Sequence, residues 1–211
     1  MIFYLLENPI FILPIIAAIL IAFTIHEFAH AYAAELLGDS TAKSLGRLTL
    51  NPIAHIHGLG FILLLVAGFG WGKPVPFNPG NLKNPKWGSA IIGFAGPLSN
   101  LLLAIVTIII LAVLGSQGLL HPNSLLTIFL IFLVQFNIIL MVFNLIPLPP
   151  LDGSKILFAI IPDRMNHIRI SLMQYGPLIL FFLIILDASS PVSIFGSLFN
   201  FFLSGVQRLI T

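Results

Sequence analysis

Apolar positions in this chain are gathered into long unbroken blocks rather than into an alternating pattern. Four blocks approach the roughly 20 residues that a helix needs to cross a bilayer's hydrocarbon: residues 9–37, 90–115, 125–146 and 170–186. A weaker fifth covers 192–209. A sixth apolar stretch, 56–69, has only about fourteen residues and is rich in glycine, which suits a re-entrant or interfacial segment better than a span. Residues 45–50 alternate weakly before Asn51-Pro52 and predict a short strand. The run Lys73-Pro-Val-Pro-Phe-Asn-Pro-Gly-Asn is full of helix breakers and predicts an irregular loop. Pro147, Pro149 and Pro150 end the third block in extended backbone. The expected fold is an all-α polytopic membrane protein, with about five transmembrane helices, one re-entrant segment and short membrane-associated strands. One integral unit over 1–211 is expected, with its core at 9–161 and accessory helices at 170–209.

Composition sharpens this picture. The chain is 58% hydrophobic and only 8% charged, against about 25% charged residues in a soluble domain. The nine Lys and Arg stand singly, so they form no nucleic-acid face. They do report orientation, because Lys and Arg favour the cytosolic side. If the N-terminus is outside and 56–69 dips in and returns, all nine fall on that side. The expected location is therefore the cell membrane, multi-pass. Trp71 and Trp87, close to Lys73, Lys83 and Lys86, have the composition of interfacial anchors. The first block lacks a basic lead and a small-residue cleavage site, so it is expected to span rather than to be removed. With no cysteine, disulfides are impossible and a metal must be held by His, Asp or Glu.

The strongest chemical signal is His26-Glu27-Phe28-Ala29-His30. Histidines four apart share one helix face, one turn apart. Zinc takes two such imidazoles, and the adjacent glutamate is placed to accept a proton from water. Three ionisable groups within five residues of an apolar helix are costly in lipid and point to function. A catalytic zinc needs a third protein ligand. Glu35 lies about 140° around the helix from His30 and cannot share its face. Asp39 follows Gly38 and reads as solvated. Among Asp152, Asp163 and Asp187, only Asp152 falls at the depth of the histidines. It serves equally as an N-cap for a following helix, so residue chemistry alone leaves ligand and cap both open. Asn100, Gln135 and Asn137 sit within predicted spans. Asn100 either faces the site or bonds a neighbouring helix, and Gln135 and Asn137 read as interhelical polar contacts. His55 and His57 read as interfacial polar residues.

Three segments together resemble the site-2 protease family of intramembrane zinc metalloproteases: the HEFAH run, Gly96-Pro97-Leu98-Ser99-Asn100, and Asn144-Leu-Ile-Pro-Leu-Pro-Pro-Leu-Asp152-Gly153. The loop from Lys73 is similar to that of compact bacterial and archaeal members, which lack a PDZ domain. The resemblance implies His26, His30 and Asp152 as ligands of one zinc ion per chain, Glu27 as general base, and Asn144 as a donor to the substrate oxyanion. An aspartate is more usual in the family where His57 stands. The implied activity is hydrolysis of peptide bonds in or near transmembrane segments of other membrane proteins, from a site toward the cytosol. Expected partners are such a segment and the lipid bilayer, with no nucleic acid. The competing expectation is a zinc transporter or zinc-binding membrane protein without hydrolysis. A transporter, however, needs ligands on both sides of the midplane, whereas here they cluster toward one.

Overall fold

The computed structural model describes residues 9–67, 70–122 and 124–189, with positions 196, 197 and 204. The described helices are α1 (Ile12–Leu36), α2 (Thr41–Ser44), α3 (Gly58–Ala67), α4 (Pro85–Ser116), α5 (Leu125–Asn144), α6 (Gly153–Ile160) and α7 (Asn166–Ser189). Four helical stretches are long and apolar enough to cross a membrane: Pro9–Leu36, Pro85–Ser116, Leu125–Asn144 and Asp163–Asp187. The shortest has 20 residues, about 30 Å at 1.5 Å per residue, which matches the hydrocarbon thickness. The weaker span expected at 192–209 lies outside the described residues, apart from those isolated positions.

Local chemistry sets several helix ends. The Asn84 side chain accepts from the Trp87 N–H at 3.2 Å, and Pro85 opens α4, a favoured start because proline has no N–H to leave unbonded. Ser124 Oγ accepts from the Thr127 N–H at 3.1 Å and starts α5. Gly38, at φ +99°, ends the turn that follows α1, in a conformation where a side chain would clash.

α1, α4 and α5 pack on one another and form the core. Ala18 and Ala22 of α1 meet Leu133 of α5; small residues of this kind let membrane helices approach closely. Ala104 and Leu111 of α4 interlock with Leu130, Val134 and Ile138 of α5. Large apolar side chains such as Leu102, Ile109, Phe181 and Phe182 cover the outer faces, where lipid is their natural solvent. α6 packs along α4. α7 touches the core where Gly176 lies over Pro149, so close that a Cβ there would sit 2.8 Å from the Pro149 oxygen.

The segment between α2 and α4 folds back on itself. α3 has 10 residues, about 15 Å of rise and too short to span. Its two flanks are joined, with the Lys73 N–H donating to the His55 carbonyl at 2.8 Å. Backbone packs on backbone inside this hairpin, since a Cβ on Gly60 would lie 2.0 Å from the Trp71 oxygen.

Three expectations are corrected here. Residues 45–50 form no strand: they are turns and bends, and no strand occurs among the described residues. His55 is not interfacial but fully buried. Its Nε2–H donates to the Thr49 carbonyl at 2.8 Å, while Nδ1 faces Arg47 Nη2 at 3.4 Å. Arg47 Nη2 also donates to the Lys73 carbonyl at 2.5 Å, so the pair clamps the loop before α3 to the segment returning from it. Asp39 is not solvated either, and is fully buried. It accepts from Thr41 N–H and Oγ1–H at 3.2 and 2.5 Å, from the Asn78 N–H at 2.7 Å, and from Asn81 Nδ2 at 2.7 Å. Loop polarity misled the expectation, because the neighbouring amides had no apolar cover of their own to suggest burial.

Candidate metal centre

His26, His30 and Asp152 meet in the buried interior. His26 and His30 sit one turn apart on α1 with their rings edge to face, centroids 4.6 Å apart. Asp152 arrives 122 positions after His30 and places Oδ2 3.1 Å from His26 Nε2 and 3.0 Å from His30 Nε2. The two Nε2 atoms are 3.0 Å from each other. Glu35 points elsewhere and pairs with Lys43 at 2.7 Å. Asp163 is exposed beside Lys86.

The imidazole tautomers follow from what lies behind the rings. His26 Nδ1 donates to Asn100 Oδ1 at 2.6 Å, and His30 Nδ1 donates to the Ile92 carbonyl at 2.6 Å. Each Nδ1 therefore carries the proton and each Nε2 a lone pair, as metal-binding histidines require. Asn100 is locked in that orientation. Its Nδ2 donates to the Ala22 carbonyl at 3.1 Å and to Asn137 Oδ1 at 2.7 Å, while Asn137 Nδ2 donates to the Leu133 carbonyl at 2.7 Å. Of the two roles left open for Asn100, the structure supports the one that faces the site. Asn137 belongs to the same chain of bonds and makes the interhelical polar contact expected of it.

α4 makes room for the imidazoles at Gly96. A Cβ there would lie 2.5 Å from His30 Nε2 and 2.6 Å from His26 Cε1, so only glycine lets the helix pass this close.

Asp152 precedes α6 but does not cap it: its backbone is already helical and its side chain makes no cap bond. Oδ1 instead accepts from Lys155 Nζ at 2.7 Å, one turn on. Burial works against ionisation of Asp152, and the Lys155 ammonium beside it favours the charged form. Lys155 was not foreseen as part of the site. Its spacing three residues after Asp152 was the available signal.

These donors fit a zinc ion. Two neutral imidazole nitrogens and a carboxylate oxygen are pressed within hydrogen-bond range with no proton to share, an arrangement that a divalent cation relieves. Three ligands leave a fourth position, as catalytic zinc sites require. Glu27, beside His26, is buried, and its Oε2 has no hydrogen-bond partner. An unpaired buried carboxylate oxygen is costly. Asn144 ends α5, half-buried, its Nδ2 donating to the Leu140 carbonyl at 3.0 Å. His57 is exposed, its ring 6.0 Å from that of Trp71.

The comparisons agree with this chemistry. The family model described as peptidase family M50 matches residues 14–121 and 117–186. YwhC of Bacillus subtilis is 39% identical over 89% of this chain and 87% of its own. Rip2 of Mycolicibacterium smegmatis is 30% identical over 85% of this chain and 69% of its own. Both are provisionally named zinc metalloproteases. The zinc metalloprotease MJ0392 of Methanocaldococcus jannaschii is 27% identical over 78% of this chain and 39% of its own. No solved structure matches the chain.

Proposed function

This chain belongs to peptidase family M50, and from that premise we propose that it cleaves peptide bonds within or beside the transmembrane segments of other membrane proteins. It is a zinc metalloendopeptidase and a multi-pass membrane protein. In the proposed site His26, His30 and Asp152 hold one zinc ion, Glu27 is the general base, and Asn144 is the oxyanion donor. The observation that carries this is the convergence of His26, His30 and Asp152 beside the unpartnered Oε2 of Glu27. A zinc transporter without hydrolysis does not fit membership of a peptidase family.

When bound, zinc polarises the scissile carbonyl and brings the pKa of water to about 7. Glu27 takes the water proton on Oε2 and returns it to the leaving amine, so one group serves first as base and then as acid. Asn144 has a second N–H beyond the one given to Leu140, and that donor stabilises charge developing on the carbonyl oxygen. Gly96 and the Asn100–Asn137 pair keep the imidazoles fixed, so little reorganisation is needed during the reaction.

A transmembrane substrate hides its amides in a helix and must unwind before cleavage. The segment returning from α3 supports capture of the unwound chain. Residues 70–78 belong to no helix or strand, and Pro74 and Pro76 offer no N–H. The amides of Val75 and Phe77 have no partner among the described residues. Such unpartnered amides support addition of an unwound substrate along this segment. Charge placement supports a site toward the cytosol, since Lys43, Arg47, Lys73, Lys155 and Arg164 all lie at that end.

The test is a reporter transmembrane segment co-reconstituted in liposomes with wild type, Glu27→Gln and Asp152→Ala. Wild type should cleave, Glu27→Gln should retain zinc without cleaving, and Asp152→Ala should lose zinc. Cleavage by Glu27→Gln would refute the assignment of the base.

A further inference from the structure

We propose that a cavity beginning one turn from Glu27 is a selectivity pocket, taking a large apolar side chain of the substrate on the membrane-buried side of the scissile bond. This rests on the peptidase reading above. The cavity has a volume of about 190 Å³ and lies between α1, α5 and the hairpin formed by α3 and its return. Phe23, Leu64, Ile139 and Leu140 contribute apolar walls, and His57 and Trp71 contribute the polar-edged rim. Such a composition, apolar walls with few polar groups, is that of a specificity pocket.

Its place along the helices decides what it serves. Phe23 precedes Glu27 by four residues on α1, and Leu140 precedes Asn144 by four on α5. Ile19 and Phe136, one further turn back on the same two helices, also line it. The cavity therefore starts about 6 Å from the level of the proposed base and oxyanion donor and continues about one turn away from them. α1 and α5 both run toward their catalytic ends, so the cavity leads from the site toward the membrane interior. A substrate held with its scissile bond at Glu27 sends its next membrane-buried residue into this space. The outer wall is fixed rather than loose, because Arg47 and His55 clamp the returning segment at Lys73. A lipid acyl chain is the competing occupant, but it gives no reason for the cavity to start at the catalytic level on both helices.

The test uses the full chain in liposomes of phosphatidylethanolamine and phosphatidylglycerol. Reporters carry Phe, Leu, Ala or Ser at the position flanking the bond that wild type cuts. Wild type should show kcat/KM at least about tenfold higher for Phe or Leu than for Ala. Ile139→Phe, which fills the cavity, should lower the Phe-to-Ala ratio at least about tenfold while zinc stoichiometry stays the same. Equal loss on all reporters, or no preference in wild type, overturns the pocket while leaving the peptidase assignment intact. Absence of any cleavage by wild type refutes that assignment instead. Binding is then read separately, with a photoreactive benzoylphenylalanine at the flanking position and the Glu27→Gln chain. Crosslinks to Leu64 or Phe136 that vanish when Ile139→Phe is added support the pocket. No reporter crosslink, with a phospholipid retained by Glu27→Gln and lost on adding Ile139→Phe, assigns the cavity to lipid and overturns it.

Discussion

The imidazole of His26 donates through Nδ1 to Asn100 Oδ1 at 2.6 Å, a bond between α1 and α4 that spans 74 positions of sequence. It fixes the tautomer that directs the Nε2 lone pair at Asp152. Outer partners of this kind typically contribute about 10–100-fold in metal affinity. Asn100→Ala also strips donors from the Ala22 carbonyl and from Asn137 Oδ1 in a buried place. Zinc affinity measured by chelator competition should fall by about that factor, with the effect on cleavage recovered by excess zinc. Unchanged affinity would mean that the bond is only a helix contact.

Gly96→Ala is expected to be worse than its size suggests. The added carbon would lie 2.5 Å from His30 Nε2, and the neighbouring imidazole atoms belong to the proposed zinc site and cannot yield without disturbing it. Overpacking alone costs about 1–3 kcal/mol. Zinc stoichiometry should drop well below one per chain while circular dichroism keeps its helical signal. Full zinc occupancy in Gly96→Ala would show that α4 can shift away without harm.

How much of this was legible follows from the kind of signal each feature leaves. The pair His26 and His30 is visible because helical spacing is local. Asp152 was singled out by depth, and only packing could show that its side chain does not cap α6 but meets the imidazoles. The long spans are visible because lipid demands unbroken apolar length. Asn137 was legible as an interhelical contact, but its partner Asn100 was not, because a buried amide in a span carries no spacing that marks what it bonds. Asp39 and His55 were misread for a related reason: each is buried by loops that fold over it, and loop sequences look the same whether they cover a residue or leave it wet. The strand expected at 45–50 failed because weak alternation over six residues found no partner edge; the chain was turned there by α2 and the Asn51 cap instead.

Asp39 makes a prediction about acid. Burial pushes its carboxyl up, but the bonds from Thr41, Asn81 and Asn78 prevail and hold it below the ordinary value. A depressed carboxyl contributes stability above its unfolded pKa of about 3.9, and loses it as pH falls through the lower folded value. The loop at Asn78–Asn81 should therefore stay protected from hydrogen exchange at neutral pH and open only in acid below about pH 4. Asp39→Asn should open it already at pH 7 and remove that acid step. An identical pH profile in both chains would show that Asp39 does not tether the loop.

Two carboxylates near α1 offer a direct contrast. Asp152 faces both imidazoles from a buried position, whereas Glu35 pairs with the exposed Lys43 ammonium at 2.7 Å. Exposed pairs contribute about 0–1 kcal/mol, so Glu35→Gln should leave zinc stoichiometry, cleavage and melting temperature close to wild type. Asp152→Asn keeps size and shape but replaces an anionic ligand with a weak neutral one, and also leaves Lys155 without its counter-charge. Zinc should then be lost during dialysis against a chelator that wild type withstands. Metal analysis of the three chains side by side checks this: loss of zinc from Glu35→Gln, or its full retention in Asp152→Asn, would move the third ligand away from the loop before α6.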